Sequence, residues 1–245
     1  MDLITLAGLV IAFSAVFLAN WLGGGEVVLL LNLPSAIIVI AGSIGATLIQ
    51  SNIQESIRAL SLLKWSLIPP VYDFNSARAI INNLAQKVRR TSLLSLESDV
   101  HSFGTPFSSR ALQMLIDGAD PTLLEHRLHD DANRLYDKRM KSVSFLEAIG
   151  GYAPTLGIMG SVLGLIQAMA NLNSPEALGH GIAVAFVSTL YGQGFANLVV
   201  FPIANKLSGY VDKELLYHQL LIDGMCGIAT GKHPSRLELE LDSYE

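Results

Sequence analysis

The residue patterns that ordinarily mark catalysis are weak in this 245-residue sequence. Gly231-Lys232 invites a phosphate-loop reading, but that motif needs Gly, four residues, Gly-Lys and then Ser or Thr. His233 follows the lysine, and Gly224 lies too far upstream. His126 and His129, with Asp130 and Asp131, have a helical spacing that permits metal ligation. Their mixed-charge surroundings instead read as a solvated helix face. Cys226 is the single cysteine, so no intrachain disulfide forms, and it reads as a small buried residue. No local motif assembles a Ser-His-Asp or Cys-His arrangement. The sequence reads as a non-enzyme without a resident cofactor or metal.

Two absences and one excess say more. The apolar stretches carry no Asp, Glu, Lys, Arg or His at their middles: Glu26 falls in a turn, and Glu147 and His180 lie near ends. A proton pump or cation carrier normally needs an ionisable group within the membrane. If this chain conducts ions, another polypeptide must supply the titrating group. The neutral polar residues Ser161, Ser188, Thr189, Tyr191, Gln193 and Asn197 are more polar together than lipid contact tolerates. They favour a face lining a partner helix or a wet path.

The elements that position these residues follow from composition. Apolar residues make up 51% and charged residues only 15%, where a soluble domain carries about 25% charged. No Lys or Arg occurs from Met1 to Ile57 or from Ser142 to Asn205; all 16 lie elsewhere, 12 in Arg58–Lys141 and four after Asn205. A bilayer span needs roughly 20 apolar residues, so each basic-free stretch has room for two. The net charge of −5 offers no basic face for nucleic acid. The N-terminal stretch lacks a basic n-region and runs straight into a second apolar stretch, which reads as a retained span.

Four spans are expected, at about Leu3–Leu22, Val27–Ile49, Phe145–Leu172 and Gly181–Ala204. Gly23-Gly24-Gly25-Glu26 joins the first two, and Asn173-Ser174-Pro175 breaks the third from the fourth. Between the hairpins, Ala77, Ile80, Ile81, Leu84 and Val88 recur at three- and four-residue steps, the mark of one buried helix stripe. Asp120-Pro121 reads as a cap with proline at the first helical position, opening a helix through Lys141. The fold class is therefore all-α: a polytopic membrane protein with a helical cytoplasmic domain. Its segments are a membrane hairpin at 1–50, a cytoplasmic domain at 51–143, a second hairpin at 144–206 and a cytoplasmic tail at 207–245. Arg134, Lys138, Arg139 and Lys141 precede span three, and Lys206 and Lys213 follow span four. The positive-inside rule then places both termini in the cytoplasm and both hairpin turns outside.

Spans three and four also carry small residues at helical spacing: Gly157, Gly160, Ser161, Gly164 and Ala168 on one, Ala185, Ser188, Thr189, Gly192 and Ala196 on the other. Such faces let membrane helices approach closely, and packing alone accounts for any single glycine. Pro154 and Pro202 are expected to interrupt their helices, as static kinks or as moving parts. The two hairpins do not resemble each other, which weakens an inverted-repeat transporter. The repeated tetrapeptide at Leu115–Gly118 and Leu221–Gly224 is at chance level.

Several blocks in order resemble the MotA/PomA family of flagellar stator subunits. They are Arg89-Arg90-Thr91-Ser92-Leu93-Leu94-Ser95-Leu96-Glu97, Gly150–Gly164 with Pro154, Thr189-Leu190-Tyr191-Gly192, and Phe201-Pro202-Ile203-Ala204-Asn205-Lys206-Leu207. The likeness covers essentially the full length. One departure is Ser92, where the family commonly has glycine. The resemblance implies an inner-membrane ring, of five subunits, around two copies of a single-span MotB/PomB-type partner that supplies the membrane aspartate and a peptidoglycan anchor. It implies that Arg89, Arg90 and Glu97 contact the rotor protein FliG. It also implies that Pro154 and Pro202 couple ion binding to movement, while Ser161, Thr189 and Tyr191 belong to the path of H+ or Na+.

An ExbB/TolQ-type energiser of outer-membrane processes is the nearest rival. Those proteins typically have three spans, so the extra N-terminal hairpin and the Arg/Leu-Glu motif favour the stator reading. A stand-alone channel lacks support for want of membrane charges or repeats. A passive scaffold is disfavoured by the polar face on spans three and four.

Overall fold

The computed structural model describes residues 3–100 and 104–244, and these are helical with turns and no strand. Four stretches are long and apolar enough to cross a membrane: Leu3–Leu22, Val27–Gln50 and parts of Pro121–Ala170 and Pro175–Ala229. The chain divides into two compact units, Met1–Pro69 with Arg139–Ser208, and Pro70–Lys138 with Gly209–Glu245.

The first unit holds the apolar helices. Helix α1 (Leu3–Leu22) buries none of its residues, although nearly all are apolar, the state of a span whose solvent is lipid. Gly24 takes φ 75° in the turn that follows, a conformation that glycine adopts without steric cost. The second span does not begin as an α-helix at Val27. Val27–Leu30 forms a 3-10 turn, and Asn32 then caps α2 (Leu33–Ala36), accepting from the Ser35 N–H at 3.0 Å. Pro34 sits in that first turn, where its missing N–H costs nothing. A π turn at Ile37–Ala41 leads into α3 (Gly42–Gln50). Ser51 and Asn52 are extended, and an Asn52/Glu55 capping box starts α4 (Ile53–Leu62), with the short α5 (Lys64–Leu67) after it.

Two sequence expectations about helix ends are corrected. Helix α8 (Pro121–Ala170) is one 50-residue helix, so the helix opened by Asp120 does not end at Lys141. Neither glycine nor proline occurs in Ser142–Phe145, and the helix propagates into the third span. Pro154 lies inside α8 without ending it. Helix α9 (Pro175–Gly194) starts six residues before Gly181, because Ser174 caps it and Pro175 occupies the first turn. A π turn at Phe195–Val200 then passes into α10 (Phe201–Ala229). Pro202 thus falls directly after a widened turn, where its ring meets less of the steric clash with the preceding turn that proline makes in a regular α-helix.

The second unit has its own core. Asp73 caps α6 (Phe74–Arg90), accepting from the Ser76 N–H at 2.9 Å. The stripe read from sequence is inside: Ala77, Ile81 and Leu84 are buried, with Ile80 and Val88 packed at its margin. It meets Leu112 and Leu115 of α7 (Pro106–Ile116), Leu124 and Leu128 of α8, and Leu220, Leu221 and Met225 of α10. Fully burying one such side chain contributes about 1.5–3 kcal/mol. Gly224 sits in close approach to α6, since a Cβ there would stand 2.6 Å from Ile81 Cδ1 and displace that side chain. After Gly231, at φ 71°, helix α11 (Pro234–Leu241) closes the core with Leu237 and Leu241. Arg78 to Asp242 at 2.8 Å and Asn82 to Glu238 at 3.3 Å tie α11 to α6.

Candidate functional site

In the first unit, the small residues of α8 and α9 bring two backbones into contact. A Cβ on Gly164 would lie 2.6 Å from the Ala185 nitrogen, one on Gly181 2.7 Å from the Ala168 nitrogen, and one on Gly192 2.7 Å from the Ala153 oxygen. Such distances exclude any side chain over several turns. The seam therefore needs glycine for packing, whatever else it does.

That close approach sets the geometry of the polar residues. Ser161 Oγ and Thr189 Oγ1 lie 2.5 Å apart, and Ser161 Oγ also reaches the Ala185 carbonyl at 2.6 Å and the Gly157 carbonyl at 3.1 Å. Serine has one proton to give. When Ser161 donates to a carbonyl, Thr189 must donate to Ser161, and the Thr189 oxygen keeps its own lone pairs for an outside donor or cation. Thr189 is exposed, as are Gln193 and Asn197 one and two turns further on. The Asn197 amide donates to the Gln193 carbonyl at 3.0 Å and to its side-chain oxygen at 3.1 Å. The result is an exposed stripe of hydroxyl and amide groups running along an apolar span.

The remaining polar residues of span four face elsewhere, which divides the group expected from sequence. Ser188 is fully buried and donates to Ser35 Oγ at 2.8 Å; Ser35 bonds in turn to Asn32 and to the Val184 carbonyl. The Tyr191 hydroxyl donates to the Leu30 carbonyl at 2.6 Å and accepts from the Asn32 N–H at 3.3 Å. Ser188 and Tyr191 thus fasten the second span to α9. Pro154 packs against Gly192 across the seam, about two turns along α8 from Ser161. Pro202 is exposed and borders a cleft with Thr5, Asn197 and Lys206. Lys206 bonds to Thr5 Oγ1 and lies 3.4 Å from the Ser66 carbonyl.

In the second unit, Arg89 and Arg90 end α6, and Glu97 lies in the 3-10 segment Leu93–Asp99. All three are exposed. Leu96 is buried and anchors the segment, while Lys87 pairs with Asp99 at 2.6 Å. Ser92 is extended, at φ −163° and ψ 168°, so glycine is not needed there and the departure at this position leaves the turn intact. Asp120, at the start of α8, is held below the usual carboxylate range by the Thr122 hydroxyl and then by the Leu123 and Thr122 N–H groups. Among the described residues, no three His, Cys, Asp or Glu side chains cluster to hold a metal.

Residues 100–219 match the MotA/TolQ/ExbB proton channel family. Over its length the chain is similar to Motility protein A of Aquifex aeolicus, at 32% identity covering 98% of this chain and 95% of that protein. It is similar to Chemotaxis protein PomA of Vibrio alginolyticus at 30% identity, covering 100% and 95%. Its fold is similar to a chain of the C. jejuni MotAB structure, with TM-score 0.94, 26% identity and coverage of 100% and 96%. A chain of the flagellar MotAB stator complex from Bacillus subtilis aligns with TM-score 0.87, 28% identity and coverage of 98% and 95%. With these relatives matched from end to end and the membrane hairpins in place, the chain belongs to the MotA family of flagellar motor stator subunits.

Proposed function

We propose that this subunit forms a ring, of five copies, in the bacterial inner membrane around two copies of a MotB/PomB-type partner, and that ion flow between them turns the ring against the rotor. One observation carries the reading. The spans have no ionisable residue at their middles, yet Thr189, Gln193 and Asn197 line one exposed face of α9 and the turn after it. Neutral polar groups facing lipid are unfavourable, so this face belongs against a partner helix or water, and the ionisable carboxylate belongs to that partner.

In this mechanism a cation or proton meets the partner's carboxylate beside Thr189 and Ser161. Oxygen ligands suit hard cations, so the pair accommodates sodium, while a proton needs no cage. Pro154 and Pro202 sit where α8 and α10 lack a backbone hydrogen bond and give the helices freedom to shift. Tyr191 supports the path by holding the second span. Residues 1–50 and 144–206 form the membrane part; 51–143 and 207–245 lie in the cytoplasm, with both termini inside. There Arg89, Arg90 and Glu97 face FliG. The N-terminal hairpin and end-to-end likeness to motility proteins favour this over an ExbB/TolQ-type energiser.

The test is swimming speed of stator-less cells expressing this chain with its neighbouring partner gene across a sodium series at fixed pH. Restored swimming is expected; speed rising with sodium names sodium as the fuel, and a flat response names protons. Membrane-inserted, partner-bound protein that restores no swimming would overturn the stator reading for that rotor.

A further inference from the structure

The Ser161–Thr189 pair has a buried counterpart one residue away on each helix. Gly160 and Ser188, their neighbours in sequence, meet the second span instead. A Cβ on Gly160 would lie 2.6 Å from Ser188 Oγ and 3.5 Å from Ile38 Cγ2. Helices α8 and α9 and the second span therefore converge there with no space for a side chain on α8. Inside this junction Ser188 Oγ donates to Ser35 Oγ at 2.8 Å, and both serines are fully buried.

Ser35 faces two acceptors, Asn32 Oδ1 at 2.8 Å and the Val184 carbonyl at 3.3 Å. Val184 precedes Ser188 by four residues, so its carbonyl is the one to which a helical serine ordinarily bonds back. Ser35 stands at that carbonyl and accepts the Ser188 proton, so Ser188 is turned across the interface and not along its own helix. Ser35 is itself fixed, because its N–H is donated to the Asn32 cap at 3.0 Å. The Asn32 N–H in turn reaches the Tyr191 hydroxyl at 3.3 Å, which returns the connection to α9. A buried hydroxyl left without a partner is costly, so the junction favours one arrangement.

We propose that Ser35 is a positioning residue for the ion path: through Ser188 it sets the rotation of α9, and so the direction in which Thr189 presents its oxygen beside Ser161. The proposal rests on the reading of Thr189 as a path residue given above. Successive residues of an α-helix lie about 100° apart, so a helix held at Ser188 has no independent choice of direction at Thr189. The glycine seam sets how near α8 and α9 come, through backbone contact. The Ser35–Ser188 bond adds direction, since a hydrogen bond weakens steeply as its angle departs from linear. Ser35 is shut away from the exposed face and acts only through Ser188.

The test is a mutant cycle between residues that do not touch. Swimming speed of stator-less cells carrying each variant with the partner gene is measured across a sodium series and a pH series. The midpoint in the driving ion is then compared with maximal speed. Ser35→Ala and Ser188→Ala remove the same bond, and each is expected to shift the midpoint about three-fold, the scale of one hydrogen bond. Maximal speed, membrane level and partner co-purification should stay near wild type. The double substitution should shift the midpoint no further. In a Thr189→Ala background, Ser35→Ala should leave the midpoint where Thr189→Ala alone puts it. A midpoint unmoved by Ser35→Ala and Ser188→Ala, or moved equally with and without Thr189, overturns the positioning role. A loss confined to membrane level in both variants overturns it too. Thr189→Ala with a wild-type midpoint would instead remove the path reading, and the positioning role with it.

Discussion

Ser161 and Thr189, on different membrane helices, hold their hydroxyl oxygens 2.5 Å apart. That distance exists because Gly157, Gly164, Gly181 and Gly192 let α8 and α9 touch through their backbones. The pair shares one direction of proton donation, so its members should act as a unit. Alanine at either position is expected to lower torque, and the double substitution to lower it little beyond the worse single one. The coupling expected for one such hydrogen bond is about 0.5–1.5 kcal/mol. Torque additive across the two sites would show that they work independently.

The seam itself can be tested through glycines of opposite setting. A Cβ on Gly164 would meet backbone at 2.6 Å, whereas one on Gly179 or Gly194 would meet nothing within 4 Å. Gly164→Ala is expected to destabilise by about 1–3 kcal/mol through overpacking, read as a lower melting temperature of the purified complex. Gly194→Ala should leave it unchanged or slightly higher.

Tyr191 bonds through its hydroxyl to the Leu30 carbonyl and the Asn32 N–H. Tyr191→Phe leaves both groups without that partner, at a cost of about 1–3 kcal/mol. Hydrogen exchange at the Asn32 amide should speed up, with ion selectivity unaltered if the side chain acts only as a fastener. Unchanged exchange would argue that the hydroxyl contributes nothing to holding the second span.

Reversing the charges of Arg90 and Glu97 is expected to impair swimming while membrane insertion and partner binding persist. Exposed pairs contribute only ~0–1 kcal/mol, so the loss should appear in torque and its salt dependence more than in complex stability. Normal torque in both reversal variants would remove these residues from the rotor contact.

Tyr244 donates to Asp223 at 2.6 Å, and burial, followed by that carboxylate, holds its phenol above the ordinary range. A raised acid favours the fold while it stays protonated. Its contribution is therefore complete below the unfolded value of about 10 and is lost as pH rises through the folded value. Tyr136 and Tyr217 are also raised, by the Asp212 carboxylate and by burial respectively, so absorbance titration should reveal several phenols still protonated where free tyrosine has ionised, and Tyr244→Phe should lower the amplitude of that late step by one phenol.

Much was legible in the sequence because it depends on neighbours along the chain. Basic-free apolar runs required four spans, the stripe Ala77, Ile81 and Leu84 required a buried helix face, and Asp120-Pro121 marked a helix start by capping chemistry, whereas Ser174-Pro175 reads as a break and its capping role came from the structure. The missing charge at mid-span was likewise a property of composition. Helix ends were harder where the signal was an absence: with no stop between Lys141 and Phe145, α8 simply continues.

What only the tertiary structure decided concerns which groups meet. Helical spacing put Ser188, Thr189 and Tyr191 on one short segment, but neighbours in sequence lie about 100° apart around a helix. Packing of the second span against α9 therefore took Ser188 and Tyr191 and left Thr189, Gln193 and Asn197 exposed. Helix α11 folds back onto α6 through Leu237 and Asp242. Sequence fixes what each helix offers; long-range packing selects the partner, since burial and charge pairing act through space.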